Sequence, residues 1–260
     1  MQKTTLGEWG HKLPVGFLDG GKFNREFTLR ESNFGLERQI QKGRSKERNR
    51  TRGEDASYIL SKLLTSLGGQ KLDPDKPAEA QALLAKSWLA DVMYMWIWAR
   101  YEACGDLLEI PFPCPYCDHV EDPPAKYEMP GFDVSVAEHP DELNSVYKLK
   151  SPLEVRGQAV ATFKLQPPTW SIYMTAAQDD GEQDARLLTS MVCGTDKHES
   201  ILLTDVEIDR MKRLDYIGVK ALATKMAYGP QLTIEHECSK ANCGKKGRLY
   251  LDWGYDSFFS

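Results

Sequence analysis

Residues 78–103 read AEAQALLAKSWLADVMYMWIWARYEA and combine helix-favouring alanine and leucine with a dense group of aromatic side chains. Apolar residues recur at helical spacing from Leu84 to Ala99 and form one face of the predicted helix. Further apolar residues in the same segment widen this apolar face. A helix that is apolar on most sides is buried. The sequence therefore predicts one central core helix over 78–103. The alternative, an aromatic cofactor site, lacks polar side chains that converge on it.

Three elements are predicted on the N-terminal side of this helix. Residues 13–31 indicate a β-hairpin, because two short apolar runs flank the turn signal Asp19-Gly20-Gly21. Residues 42–52 read KGRSKERNRTR, with six positive charges and one negative, which predicts a mobile, solvated loop. Apolar residues at helical spacing then predict a helix from Asp55 to Leu67.

The sequence after Gly105 is β-like at first, then helical, then β-like again at the end. A capping-box pattern at Thr204 and Glu207 marks the start of one helix. The predicted strands are Leu107–Phe112, Val146–Leu149, Ala159–Leu165, Leu232–His236 and Arg248–Trp253, and the predicted helices are Trp170–Ala177, Glu182–Val192, Asp205–Leu214 and Tyr216–Ala227.

This order of elements predicts an α+β protein, in which a helical body carries a small zinc-ribbon β region that joins the middle of the chain to its C-terminal segment. We expect five regions. They are an N-terminal hairpin with the basic loop (1–53), a helical core (54–106), a β-rich region with the first cysteine pair (107–168), a helical region (169–230), and the second cysteine pair with an aromatic tail (231–260).

Four of the six cysteines fall into two close pairs, Cys114 with Cys117 and Cys238 with Cys243. Paired thiolates two to four residues apart can bind one tetrahedral Zn²⁺. We therefore expect one structural zinc ion shared by the two pairs, with no coordination position left for substrate. A redox-active CPYC pair and ordinary buried cysteines are the alternatives, but residues 118–124 (DHVEDPP) do not suit the helix that a redox motif requires.

The remaining cysteines and the nearby histidines are expected to play lesser roles. Cys104 and Cys193 have no close partner in sequence and are interpreted as core thiols. His119 and His236 lie beside the predicted ligands, and we expect them at the surface or in contact with the ligands rather than on the metal.

Composition excludes several classes of protein. Of 260 residues, 41% are hydrophobic and 27% charged, which is typical of a globular chain rather than a disordered or coiled-coil one. The net charge of −5 gives no overall attraction to nucleic acid. The most apolar stretch, 92–99, is far shorter than the roughly 20 residues of a membrane span. With no targeting segment visible, we expect a cytoplasmic protein that contacts no membrane.

No arrangement typical of catalysis stands out in the sequence. The nucleophile elbow, phosphate-binding loop, dinucleotide fingerprint, zinc-protease and kinase motifs are all missing. The acidic groups at 121–122 and 179–180 are more simply interpreted as solvated loops. We therefore expect a protein that is not an enzyme and has no small-molecule substrate.

Two segments are candidates for binding a partner. The basic run is interpreted as a solvated loop or protein-docking arm, with nucleic acid as the less favoured ligand because no aromatic residues are interleaved with its cations, Lys42, Arg44, Lys46, Arg48, Arg50 and Arg52. The C-terminal segment carries four aromatic residues in its last eight positions, which either fold back or insert into a partner: Trp253, Tyr255, Phe258 and Phe259.

The chain resembles a family of tail and baseplate assembly proteins of tailed bacteriophages and related contractile injection systems. The resemblance extends over nearly the whole chain. It rests on residues 13–16 (LPVG) through 27–31 (FTLRE), 113–117 (PCPYC), 163–169 (FKLQPPT), 211–215 (MKRLD), 228–230 (YGP), 238–244 (CSKANCG), 251–253 (LDW) and Phe258-Phe259.

This resemblance implies a non-enzymatic assembly chaperone or minor baseplate component. Its partners would be other tail or baseplate proteins, met in the cytoplasm of the bacterial host during assembly. The sequence leaves open whether the protein stays in the virion tail or leaves after assembly. Two features depart from the family pattern. The second cysteine pair is separated by four residues rather than two, and the run 42–52 is unusually basic. A zinc-ribbon protein that binds nucleic acid through the run 42–52 is the alternative function.

Overall fold

The computed structural model describes residues 1–46, 50–176 and 188–251, and these form a mixed α+β fold. The helices are α1 Leu6–Trp9, α2 Phe34–Lys46, α3 Arg52–Leu63, α4 Pro77–Lys86, α5 Leu89–Cys104, α6 Trp170–Ala176, α7 Asp205–Asp209 and α8 Arg213–Lys225. The strands are β1 Gln2–Thr5, β2 Lys12–Asp19, β3 Lys22–Leu29, β4 Leu64–Leu67, β5 Gln70–Lys71, β6 Leu107–Ile110, β7 Ala125–Glu128, β8 Asp133–Val136, β9 Ser145–Val155, β10 Gln158–Leu165, β11 Val192–Thr195, β12 Gly229–Pro230, β13 Thr233–Glu237 and β14 Lys246–Tyr250.

All the strand pairs are antiparallel and form small sheets. The orders are β1-β8-β12, β2-β3-β4-β5 and β11-β10-β9, and β6-β7 and β13-β14 are two-stranded. The predicted hairpin is confirmed as β2 and β3. Gly20 and Gly21 both have positive φ angles, as the tight two-residue turn requires.

The helix predicted over Asp55–Leu67 is wrong at its C-terminal end. Helix α3 ends at Leu63, and the next four residues form β4. Leu64 pairs with Leu29 and Leu67 with Phe27, so backbone pairing with β3 replaces the last helical turn. Leucines at these positions suit either structure, and the sheet partner is distant in sequence.

The single helix predicted over 78–103 is two helices, α4 and α5, with Ser87 and Trp88 between them in extended conformation. The break is held by distant segments. The Ser87 carbonyl accepts a hydrogen bond from the Trp170 N–H, and the Leu89 N–H donates to the Pro168 carbonyl. These contacts satisfy backbone groups that a continuous helix would have paired internally.

Helix α5 is the centre of the larger hydrophobic core, as its composition predicts. Every residue from Ala90 to Arg100 is buried. The Arg100 guanidinium donates to the carbonyls of Gly105 and Leu107, so its charge is placed at the end of the helix where carbonyls are unpaired. This core packs α5 against α3, α4 and the sheet that contains β3 and β4.

A second hydrophobic core lies between the β9-β10-β11 sheet and helices α7 and α8. The predicted capping box at Thr204 and Glu207 is confirmed at the start of α7. The prediction of one helix over Asp205–Leu214 is wrong, because α7 ends at Asp209 and α8 begins at Arg213. Most of the predicted helix Glu182–Val192 lies outside the described residues.

Candidate metal centre

The first cysteine pair lies in a tight turn between β6 and β7. The Cys114 N–H donates to the His119 carbonyl at 2.7 Å, and the Asp118 N–H donates to the Cys114 carbonyl at 3.1 Å. Pro113 and Val120 form an isolated bridge that closes the base of the turn. We call residues 112–121 the first cysteine turn.

The second cysteine pair lies in a corresponding turn between β13 and β14. The Cys238 N–H donates to the Lys245 carbonyl at 3.1 Å, and the Cys243 N–H donates to the Lys240 carbonyl at 2.8 Å. Residues 238–245 are called the second cysteine turn. Despite its two extra residues, it closes as the first turn does, because each first cysteine donates to the carbonyl two positions after the second cysteine.

The residue that follows each pair has the same unusual backbone conformation. Asp118 has a φ of +53° and Gly244 a φ of +52°. Glycine adopts positive φ freely, and aspartate is among the few other residues that tolerate it. Gly244 therefore suits the tight turn that follows the second cysteine pair.

The two turns bring the four cysteine sulfurs together. The Cys114 and Cys243 sulfurs are 3.7 Å apart, and the Cys117 and Cys238 sulfurs are 3.8 Å apart. All four sulfurs lie within 4.8 Å of one another. A tetrahedron with metal–sulfur distances of about 2.3 Å has edges of about 3.8 Å. The four-cysteine cluster, Cys114, Cys117, Cys238 and Cys243, could therefore hold one metal ion.

Three of these sulfurs lie near a backbone N–H group that lowers the pKa of the thiol. These are the N–H groups of Tyr116 for Cys114, His119 for Cys117 and Lys240 for Cys238. Such N–H groups favour thiolate over thiol, which is the form that binds metal. The donors are supplied by the turns themselves, so the local chain conformation prepares the sulfurs for a cation.

The thiols differ in how readily they ionise without a metal. Burial opposes ionisation of Cys114, but the Tyr116 N–H and the neighbouring thiols lower its pKa to about 7. Burial, with the effect of the same neighbours, raises the pKa of Cys238 to about 12. The metal-free cluster therefore retains protons at neutral pH, and a metal ion that binds all four thiolates must displace them.

Glu121 connects the two turns, so the interpretation of this acidic residue as part of a solvated loop is wrong. It is only 8% exposed, and its carboxylate accepts a 2.9 Å hydrogen bond from the Ser239 N–H. Hydrogen bonding from Ser239 holds the pKa of Glu121 below its usual range. The same carboxylate lies 3.4 Å from His236 Nε2. Glu121 thus anchors the residue next to Cys238.

The two histidines lie beside the cluster, as predicted. His236 packs its ring against Phe112, with centroids 4.7 Å apart. His119 Nε2 lies 3.4 Å from the Ser239 hydroxyl. Gly247 lets the hairpins approach closely, because a Cβ there would lie 2.8 Å from Phe112.

The structure does not bear out the prediction that Cys104 is a core thiol, since this residue is exposed at the end of α5. Cys193 is partly buried.

Most of the described part of the basic run is helical rather than a loop, although Lys42 and Arg52 are exposed to solvent as predicted. Lys42, Arg44 and Lys46 belong to the last turns of α2, and Arg52 begins α3. Arg44 pairs with Asp55, with Nε and Oδ2 3.0 Å apart. The Arg50 guanidinium lies over the Tyr58 ring at 4.1 Å. The sequence prediction failed because these partners lie on α3. Arg48 is outside the described residues.

The C-terminal aromatic residues Trp253, Tyr255, Phe258 and Phe259 also lie outside the described residues, so their predicted partner contact stays a prediction. Within residues 1–46, 50–176 and 188–251, the four-cysteine cluster is the one group of histidine, cysteine and acidic side chains placed to hold a metal ion. No helix in the same ranges is long and apolar enough to cross a membrane.

Comparison of the chain with protein-family models, with curated proteins and with solved structures finds no match.

Proposed function

We propose that this chain is a non-enzymatic structural protein of tail or baseplate assembly, stabilised by one Zn²⁺ in the four-cysteine cluster. The observation that carries the proposal is the closed arrangement of the four sulfurs at the junction of two hairpins far apart in sequence. Zinc prefers four thiolates in structural sites, and such a shell leaves no position for water or substrate. The bound ion would act as a cross-link between β6-β7 and β13-β14.

Three of the segments that resemble the assembly family meet at the start of α5, which supports a structural role for them. The Trp88 indole donates to the Gly16 carbonyl, and the Asp91 carboxylate accepts the N–H groups of Val15 and Gly16. The Pro168 carbonyl accepts from Leu89. A Cβ on Gly229 would lie 3.0 Å from the Ala90 Cα. We call this junction the α5 hub.

The α5 hub is a packing site rather than a reaction site. The ionisable side chain that α5 contributes to this hub is Asp91, which is completely buried. Both carboxylate oxygens are occupied by backbone N–H groups at 2.8 Å. A substrate would have no access to this carboxylate, so the motifs favour a role in building the fold and presenting surfaces to partners.

No observation on the described residues favours nucleic-acid binding through the basic run. Arg44 and Arg50 each contact a side chain of α3. Assembly among tail proteins therefore remains the proposed function, in the cytoplasm of the bacterial host.

Co-expression with the tail and baseplate proteins of the same genome tests this proposal. We expect the chain to co-elute with one of them. Deletion of residues 258–260 should abolish the complex while leaving the melting temperature unchanged, because aromatic side chains at an interface supply much of its affinity.

Two results would contradict the proposed function. One is normal tail assembly in a phage that lacks this gene. The other is a large fall in melting temperature after the deletion with assembly intact, which would identify the tail as part of the protein's own core.

A further inference from the structure

Helix α8 has two apolar faces, and the described residues of the protein cover only one of them. Val219, Ala223 and Met226 are buried in the second hydrophobic core. Gly218 lies against Tyr147 of β9, since a Cβ there would lie 2.2 Å from the tyrosine hydroxyl. These contacts fix the inner face and leave the opposite side of the helix turned outward.

The outward side of α8 carries a second row of apolar residues. Leu214 is 62% exposed and Ile217 is 51% exposed, and Ala221 is also exposed. The spacing i, i+3, i+7 aligns the three on one face of the helix. We call Leu214, Ile217 and Ala221 the outer stripe. Large apolar side chains grouped on one exposed helix face are typical of an interaction site.

The exposed charges that α8 itself carries beside the outer stripe have one sign. At about 100° per residue, Arg213 and Lys220 flank the stripe on one side, and Lys225 lies at its C-terminal end. The acidic residue of the helix, Asp215, faces inward and is 1% exposed. Its carboxylate accepts hydrogen bonds from the Lys150 N–H at 2.8 Å and the Tyr147 hydroxyl at 3.2 Å. Within α8, the outward face thus carries only cations.

From this pattern we infer that the outer stripe is the docking site for an acidic amphipathic helix of a partner protein. When an amphipathic helix binds a partner, apolar side chains at positions i, i+3 and i+7 typically make the contacts. Carboxylates on the partner would meet Arg213 and Lys225 and would speed the encounter. The inference goes beyond the proposed zinc function and does not depend on it.

Two other occupants fit the surface less well. A second copy of the chain, related by a two-fold axis, would place the same cations of α8 opposite one another. A membrane surface attracts basic amphipathic helices, but these usually bury a wide face with aromatic or several large apolar residues. The outer stripe offers two large side chains and no aromatic ring.

Two synthetic helical peptides distinguish these occupants when titrated into the full-length protein. Both carry leucine at i, i+3 and i+7, and the flanking residues are glutamate in one peptide and lysine in the other. We expect the acidic peptide to bind with a Kd of about 100 μM or tighter, and the basic peptide at least about tenfold more weakly. Binding of the acidic peptide should weaken as salt is raised.

Variants connect the binding to the stripe. Leu214→Ser with Ile217→Ser should weaken the acidic peptide at least about tenfold. Arg213→Gln with Lys225→Gln should reduce the salt dependence. Leu18→Ser is the matched control, because Leu18 is 51% exposed on the β2-β3 hairpin, and it should leave binding unchanged. All these side chains are exposed, so the melting temperature should be preserved, and the metal content should not change.

Four results would overturn the inference: failure of the acidic peptide to bind, equal binding of the two peptides, an equal loss of binding in the Leu18 variant, or an unfolded stripe variant. A dimer in sedimentation that the stripe variant disperses would assign the surface to a second copy. Co-sedimentation with phosphatidylglycerol vesicles, lost in the same variant, would assign it to a membrane. Normal metal content beside any of these results would leave the proposed zinc function standing.

Discussion

Replacing Cys238 by serine should loosen the two cysteine turns while the rest of the fold remains intact. The four-cysteine cluster joins residues separated by 129 positions. A cross-link that closes a loop of this length contributes about 5 kcal/mol in the chain-entropy model. Three remaining thiols bind a metal ion less tightly than four, so we expect the variant to lose up to about this free energy of unfolding where the cross-link acts.

The packing predicts where the loss will be seen. Phe112, Cys114, Ala125 and Cys238 form a small buried cluster of their own, separate from the core around α5. In Cys238→Ser, hydrogen exchange should accelerate in the first and second cysteine turns and in the strand ends next to them, whereas Leu108, Leu232 and Leu251 belong to the core around α5. Amides of α5 should keep their protection, because its buried apolar surface does not depend on the metal.

A matched variant separates this effect from the simple loss of a thiol. Cys104 is exposed and lies outside the four-cysteine cluster, so Cys104→Ser should leave exchange unchanged in both hairpins. Faster exchange spread evenly along the chain in Cys238→Ser would refute the reasoning, since it would make the cysteine turns part of one cooperative core. Unchanged exchange in the hairpins would refute it as well.

Two further predictions concern the interior. Burial raises the pKa of Asp91 from 3.8 to about 7, against the effect of two N–H donors. Between pH 3.8 and pH 7 the folded state therefore binds one more proton than the unfolded state. The contribution of Asp91 to the free energy of unfolding is fully present below pH 4 and falls by on the order of 3–4 kcal/mol as pH rises to 7. Asp91→Asn should remove this pH dependence, so that wild type loses stability relative to the variant from pH 5 to pH 8 in denaturant titrations. A difference in free energy of unfolding between the two proteins that is constant, or that changes in the opposite direction, would be inconsistent with a raised pKa. Gly247→Val should weaken metal binding in a chelator competition, because a Cβ at this position would lie 2.8 Å from Phe112 and 2.9 Å from Pro115. Gly131→Ala is the control, because a Cβ there would have no atom within 4 Å. Equal metal affinity in both variants would show that the close approach of Gly247 to Phe112 and Pro115 is unimportant.

Local patterns predicted several elements correctly because the forces that form them are local. The glycines of the β2-β3 turn and the capping box at Thr204 both act within a few residues. Cysteine spacing likewise indicated which four cysteines belong together, and the structure brings all four sulfurs together. In these cases the residue type and its neighbours are sufficient.

The errors occur where distant segments decide the local conformation. The break at Ser87 depends on backbone contacts with Pro168 and Trp170. The change from helix to strand at Leu64 depends on β3. Glu121 acts on the second cysteine turn from more than one hundred residues away, and no motif marks it. Periodicity carries no information about such partners.

The zinc content of the purified protein tests the central claim most directly. Elemental analysis of protein prepared without chelator should give about one equivalent of zinc per chain. Substituting Cys238 and Cys243 by serine should remove most of it, and substituting Cys104 and Cys193 should not. A folded wild-type protein with less than about a tenth of an equivalent of zinc would contradict a structural metal site in the four-cysteine cluster.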